Sequence, residues 1–354
     1  MWMRSASPCF VWEGSDTLGK VHRPATIYDV AAQAGVSPQT VSRHLKGFTG
    51  IRPETRERVV GAIVELNYRP NMTARNLATR RAHRIAALTS DLLSVGPSQT
   101  LQGLNSAARS AGYLVDIMTI DVNSPSSVAD AISVLGGQDL AGIVAIAVSD
   151  LVREVIGGID LGVAVYLDPS PADLLTPSGV TFNAVGIRLV MEHLIELGHT
   201  DFVHLSGPLD WISARNRASE FDSIIREHRL RKHSQLSGDW TAASGHAALV
   251  GQPLDSRVTA VVASNDQMAL GAIHALANAG ISVPGDVSVT GFDDIQEASY
   301  FLPSLTTVNI DFESQGTFIF EALKAAIAGE AAPDPSSFMR PQLIVRNSTA
   351  LPTR

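Results

Sequence analysis

The sequence predicts an α/β protein in two parts. A small three-helix unit with a helix-turn-helix comes first, and a large body of parallel sheet flanked by helices follows. Three observations carry this. Residues 26–47, TIYDVAAQAGVSPQTVSRHLKG, read as helix, glycine turn, helix. From residue 85 onward, short apolar runs alternate with amphipathic stretches, the pattern of parallel strands covered on both faces. Charge divides the chain at nearly the same place: residues 20–84 hold 12 Lys and Arg against 4 Asp and Glu, whereas residues 85–354 hold 14 against 29. A basic segment on a chain of net charge −8 points to a module that meets a polyanion.

The elements follow in order. Residues 1–23 form a leader without clear periodicity. Two readings stand for it: a disordered tail, or a start codon placed too far upstream, with translation beginning at Val21. N-terminal peptides of the natively expressed protein that covered residues 1–20 would refute the second.

Residues 24–70 make the three-helix headpiece. Thr26 caps the first helix with Asp29 as the reciprocal partner, and Ile27, Val30, Ala31 and Ala34 form its apolar face. Gly35 ends it, being free to take a positive φ. Ser37 caps the second helix, PQTVSRHL, and Pro38 suits its first position, which needs no amide donor. Val41 and Leu45 lie on its buried face. Pro53 opens a third helix with a stripe of Val59, Ile63 and Leu66, and Val60 beside it.

Pro70 breaks that helix. The Arg-rich segment 71–82 has little apolar surface and reads as a linker that orders only against something anionic, with Asn71 able to cap one short helix.

Residues 83–354 form the core. Strand candidates are RIAALTS, YLVDIMTI, LAGIVAIAV, GVAVYLD, DFVHLSG, VTAVVAS and VSVTGFDD. Helices lie between them at 98–111, 184–197, 212–229, 266–279 and 312–328. That is more than one sheet usually carries, so two α/β subdomains are expected.

Much can be excluded. GSDTLGKV at 14–21 imitates the start of a phosphate loop, but Val21 stands where Ser or Thr must hold magnesium, and HRP cannot continue a helix. Neither a dinucleotide fingerprint nor a nucleophile elbow is present. His193, His199 and His204 lack metal-ligand spacing and read as surface or capping residues. Cys9 is the single cysteine, so neither an intrachain disulfide nor a multi-cysteine metal site can form. The chain therefore reads as no enzyme, with no cofactor and no metal. No run approaches the ~20 apolar residues that span a bilayer. A signal-peptide core is missing too, and a cytoplasmic protein is expected.

The helix-turn-helix is the specific signal. Its second helix belongs in the major groove of double-stranded DNA, with its N-terminal residues at the base edges. Val41 and Leu45 turn inward, leaving Pro38, Gln39, Ser42, Arg43 and Lys46 outward. Gln39 suits adenine and Arg43 suits guanine. Ser37, Thr40 and Thr55 are phosphate donors, which position without specifying.

These stretches, with TRERVVGAIVELNYRPN and ARNLA, resemble the lactose/galactose repressor family of bacterial transcription regulators. The resemblance runs on through GPSQ, SGPLDWISARNR, GDWTAASG, SNDQMALGA and GFDDIQEASYFLPSLTT, from about Pro24 to LIVRNSTALP. It implies a headpiece, a hinge helix and a two-lobed periplasmic-binding-protein-like core. The lobes would be discontinuous, about 83–180 with 311–341 and 181–309 with 342–350. It places Thr26, Tyr28, Asn71 and Ala74 on the DNA and makes Leu77, on a hinge helix at 71–79, a minor-groove wedge. It implies an effector site of Ser90, Asp168, Ser213, Arg217, Trp240, Asn265, Asp293, Ile310 and Phe312. Carboxylate and guanidinium forks there suit vicinal hydroxyls, and Trp240 would either face a pyranose or pack in the core.

Three departures shape the expectation. Ile310 stands where such a repressor carries a cleft Gln, Ser94 and Thr100 replace aliphatic residues, and Pro38 replaces a base-reading Tyr. No Leu heptads follow LPTR, which favours a dimer. The implied function is a repressor, homodimeric on a pseudo-palindromic operator, released by a galactoside-like sugar. The alternative is a regulator whose non-galactoside ligand acts as a corepressor.

Overall fold

The computed structural model describes residues 23, 25–45, 47–68, 82–168, 181–252, 254–334 and 340–353. Two compact units result, one within residues 1–81 and one of residues 82–354.

In the first unit, α1 (Ile27–Ala34), α2 (Pro38–Leu45) and α3 (Pro53–Glu65) close over a small core of Val30, Ala31, Ala34, Val41, Val59 and Ala62. The start of α1 is a complete capping box. The Thr26 side chain accepts from the Asp29 amide, and the Asp29 carboxylate accepts from the Thr26 amide at 2.7 Å. Hydrogen bonds from Thr26 hold the Asp29 carboxyl below its ordinary pKa. Gly35 takes φ 62° and turns the chain into α2. The expected stripe of α3 needs correction at Val60, which is exposed. Ala62 is buried in its place, because it lies three residues after Val59 on the same face. The leader and the hinge helix at 71–79 lie outside the described residues.

The second unit holds two four-stranded parallel sheets. In the first, β1 (Arg84–Thr89), β2 (Leu114–Thr119), β3 (Gly142–Ile146) and β4 (Ala164–Leu167) lie in the order β2-β1-β3-β4. The connecting helices are α4 (Val95–Ser110), α5 (Pro125–Gly136) and α6 (Asp150–Gly157). Side chains alternate along each strand, so Ile85 and Ala87 pack on one face with Leu101, Leu104, Phe318 and Leu323. Ala86 and Leu88 pack on the other with Val128, Ile132 and Val152.

The second sheet repeats the plan. It comprises β5 (Asp201–Ser206), β6 (Arg231–Ser237), β7 (Ala260–Ala263) and β8 (Ser288–Thr290), ordered β6-β5-β7-β8. Helices α7 (Phe182–Glu196) and α8 (Ile212–Glu227) cover one face through Ile187, Met191 and Phe221. Helices α9 (Ala242–Gly251) and α10 (Asp266–Asn278) cover the other through Leu249, Met268 and Leu276.

The chain passes between the two sheets three times. It goes from β4 to α7, back from β9 (Thr307–Asn309) to α11 (Phe312–Ala328), and again to β10 (Gln342–Ile344), which pairs antiparallel with β9. Helix α11 closes the first lobe against α4. Backbones touch there: a Cβ on Gly103 would lie 2.0 Å from the Glu313 carbonyl, and one on Gly316 2.0 Å from that of Thr100. Strands β6, β9 and β10 were not among the expected strands. β6, RKHSQLS, is a polar edge strand, and β9 and β10 have three residues each. No helix among the described residues is long and apolar enough to cross a membrane.

Candidate functional site

In the headpiece, α2 presents Gln39 and Arg43 exposed, with Pro38 and Ser42 partly covered. Ser37 caps α2, accepting from the Thr40 amide at 3.2 Å, and the two hydroxyls lie 3.0 Å apart. Tyr28 is 70% exposed, Thr55 half-buried. The Thr26 hydroxyl is committed to its cap, donating to Asp29 at 2.6 Å. One residue the sequence reading passed over is Phe48. Its ring lies 5.7 Å from the Arg43 guanidinium carbon, which limits where that fork can point. Lys46, Asn71, Ala74 and Leu77 lie outside the described residues.

In the second unit a cavity of about 320 Å³ opens between the carboxyl ends of the two sheets, where open α/β sheets place ligands. Ser90, Asp168, Ser213, Arg217, Trp240, Asn265, Asp293, Ile310 and Phe312 all line it, as do Ser94 and Thr100. They reach it from strand ends and helix starts. Asp168 follows β4, with its amide bonded to the Ala145 carbonyl at 2.7 Å. Asp293 follows β8 at φ 109°, and Ala147 and Trp240 also hold positive φ on the cavity wall, at 54° and 74°. Non-glycine residues held there store backbone strain, which gathers at binding sites.

Arg217 is the centre of the charge arrangement. Its Nε donates to Asn183 at 2.8 Å, and its Nη1 donates to the Ser264 carbonyl. Nη2 faces Asp293 at 3.6 Å, an ion pair too long for a hydrogen bond. The guanidinium lies 3.7 Å over the Phe292 ring. Burial pushes Asp293 up to about 6 against the pull of Arg217, and burial lowers Arg217 from its ordinary value. Beneath them Asp266 is fully buried, accepting from the Ile295 amide at 2.8 Å and from the Thr307 hydroxyl. Burial and the neighbouring Asp293 push it up to about 8. Opposite, Gln315 donates to both Asp168 oxygens at 2.9 and 3.1 Å.

Asn265 is not free to serve a ligand in this arrangement. Its oxygen caps α10 by accepting from the Met268 amide at 2.9 Å, and its nitrogen donates to the Trp240 carbonyl and to Gln267. Trp240 packs against the second-lobe core, yet its indole Nε1 is buried with no partner. Trp211 stands edge-on to it at 6.1 Å. Asn183, Asp266 and Gln315 were missed by the sequence reading. Gln315 had a signal, since it lies one turn along α11 from Phe312; Asn183 and Asp266 had none beyond being polar at helix starts.

Two of the three histidines need correction. His193 is half-buried, but His199 and His204 are not surface residues: they are 2% and 0% exposed. His199 bonds Thr259 and the Ala350 carbonyl, each at 2.9 Å. His204 bonds Ser264 and stacks on Phe221 at 4.6 Å, and burial lowers it to about 3. They are core residues with polar partners. Among the described residues no group of three or more His, Cys, Asp or Glu converges.

Comparison with known proteins agrees with this anatomy. Residues 26–71 match the family described as bacterial regulatory proteins, lacI family, and residues 191–349 match the periplasmic binding protein-like domain. The lactose operon repressor of Escherichia coli (strain K12) is 33% identical over 341 residues, 93% of this chain and 91% of that protein. The HTH-type transcriptional repressor PurR of Vibrio parahaemolyticus serotype O3:K6 (strain RIMD 2210633) is 31% identical over 92% of this chain and 98% of its own length. Among solved structures, the Lac repressor dimer bound to operator and the anti-inducer ONPF is 30% identical with a TM-score of 0.77. The match covers 93% of this chain and 100% of that one. A helix-turn-helix with an outward Gln and Arg, a two-lobed core and a cavity with charged groups between the lobes thus come with a shared sequence, and the chain belongs to the lacI family of bacterial regulatory proteins, DNA-binding repressors of transcription.

Proposed function

We propose that the chain represses transcription as a homodimer on a pseudo-palindromic operator, in the cytoplasm, and leaves DNA when a neutral, galactoside-like sugar enters the cavity. The observation that carries this is the convergence of Asp168, Arg217 and Asp293 beside the face of Trp240 in a space of about 320 Å³. That volume suits a glycoside. Two carboxylates and a guanidinium can each engage paired hydroxyls, and the apolar face of a pyranose fits an indole. Ile310 removes an amide from the wall, so the sugar's substituents should differ from those a cleft Gln would bind.

On DNA, Gln39 and Arg43 read base edges, and Ser37, Thr40 and Thr55 hold phosphates. Asn71, Ala74 and Leu77 act in the hinge. The effector releases DNA only if it binds the released state more tightly than the bound one.

A second reading has the ligand act as a corepressor that tightens DNA binding. One experiment separates the two. Operator sequences are selected from randomised DNA, and fluorescence anisotropy then follows binding during titration with galactosides, other neutral sugars and purines. Release by a neutral sugar supports induction, and tightening supports the corepressor reading. No response to any sugar, with DNA binding intact, would refute the sugar assignment.

A further inference from the structure

Away from the cavity, two helices of the second lobe bring a pair of imidazoles together. His246 on α9 and His274 on α10 have ring centres 5.0 Å apart with planes tilted by 31°. Asn278, one turn beyond His274, places its amide 3.5 Å from the Nε2 of both rings. We propose that His246, His274 and Asn278 form a site for a borderline divalent transition metal such as Zn²⁺, Ni²⁺ or Cu²⁺.

Two distances support this independently. Imidazole nitrogens sit ~2.0–2.1 Å from zinc, which sets ring centres roughly 4.5 Å apart at a right angle and about 5.2 Å apart at the tetrahedral angle. The observed 5.0 Å lies between them. Ligand atoms at that bond length are about 3.4 Å from one another in a tetrahedron, and the amide of Asn278 is 3.5 Å from each Nε2. At 3.5 Å these are marginal hydrogen bonds, so the amide gains little by keeping its nitrogen there. Turning it by half a revolution puts the oxygen toward the rings, an exchange of near-isosteric atoms. Imidazole and carbonyl oxygen then supply three ligands, and water completes the shell.

The frame is rigid, which keeps the entropic cost of binding small. Helices α9 and α10 meet backbone to backbone: a Cβ on Gly245 would lie 2.3 Å from the Met268 carbonyl, and one on Gly271 2.0 Å from that of Ala242. His246 follows the first glycine directly, and His274 stands one turn after the second. His274 is exposed and His246 half-buried, so an ion can reach the pair from solvent.

The test is calorimetric titration of the tag-free full chain with Zn²⁺. One ion per chain is expected, with a raised melting temperature. His246→Ala and His274→Ala should each weaken that site at least about tenfold, since even losing an outer-shell partner costs that much. Asn278→Asp should tighten it, because a carboxylate replaces a neutral oxygen; this variant also guards against a histidine variant that fails to fold. No binding at millimolar Zn²⁺ would overturn the proposal. So would a site indifferent to both histidines, and weaker binding in Asn278→Asp would remove Asn278 from it.

Discussion

The two lobes share one plan but not one interior. Both are four-stranded parallel sheets with the first strand second in order. Among the described residues of the first, the buried polar ones are few: Thr89, Thr100, Ser149 and Asp168. The second buries His199, His204, Arg217, Ser264, Asp266, Thr290, Thr306, Thr307 and Ser348, most tied by hydrogen bonds across elements. Buried polar pairs must keep their geometry because an unpaired group inside is costly. The second lobe is therefore the better reference frame for a ligand, and the first lobe the better candidate to move.

The largest break of this contrast is Arg217→Ala. It strands Asp293 and removes the packing over Phe292, and losing one partner of a buried pair costs about 3–5 kcal/mol. Urea denaturation followed by Trp fluorescence should show the loss. An unchanged midpoint would mean that Arg217 is not structural.

Next come the backbone contacts, one in each lobe. Gly271→Ala in the second and Gly316→Ala in the first each force a Cβ to within 2.0 Å of a carbonyl oxygen. Overpacking of this kind costs roughly 1–3 kcal/mol. If the first lobe yields more easily, hydrogen exchange should report the smaller penalty for Gly316→Ala; equal penalties would weaken the contrast.

A pH effect of one sign should come from two carboxyls of the second lobe. Asp266 and Asp293 are pushed up to about 8 and about 6 from an ordinary 3.8. Between these values the folded state holds protons that the unfolded chain has released. Their contribution to stability is thus full at low pH and falls as pH rises from about 4 to about 8. Asp266→Asn should flatten that slope, measured as urea midpoint against pH. His199 and His204, lowered by burial, pull the other way below their ordinary pKa, so a slope that Asp266→Asn leaves unchanged would sink the assignment.

The smallest effect lies between the lobes. Arg215 on α8 grips Asp150 at the start of α6 with two bonds of 2.6 and 2.8 Å, both groups partly exposed. Arg215→Ala should cost only about 0.2–1 kcal/mol of stability. Yet it should alter effector affinity if the lobes move, which titration of intrinsic Trp fluorescence would detect.

How much of this was legible in the sequence depended on distance along the chain. The capping box of Thr26 and Asp29, the Gly35 turn and the cap at Ser37 could be read directly, because each is made within a few residues. The central strands announced themselves as apolar runs. β6 did not, since an edge strand can be polar, and Val60 misled because it is apolar yet lies off the face of Val59 and Ala62. The cavity residues came from resemblance, and their convergence required the fold.

By itself, then, the sequence determined what local chemistry determines: helix starts and ends, the alternation of strands and helices, and the basic headpiece on an acidic core. Tertiary structure decided which polar groups were already taken. It clasped Asp168 with Gln315 and buried Asp266 under Asp293, partners 147 and 27 residues apart. The first pairing forms only after the chain has left the first sheet and returned to it, the second only when two strand ends of one sheet lie side by side, and no local propensity encodes either contact.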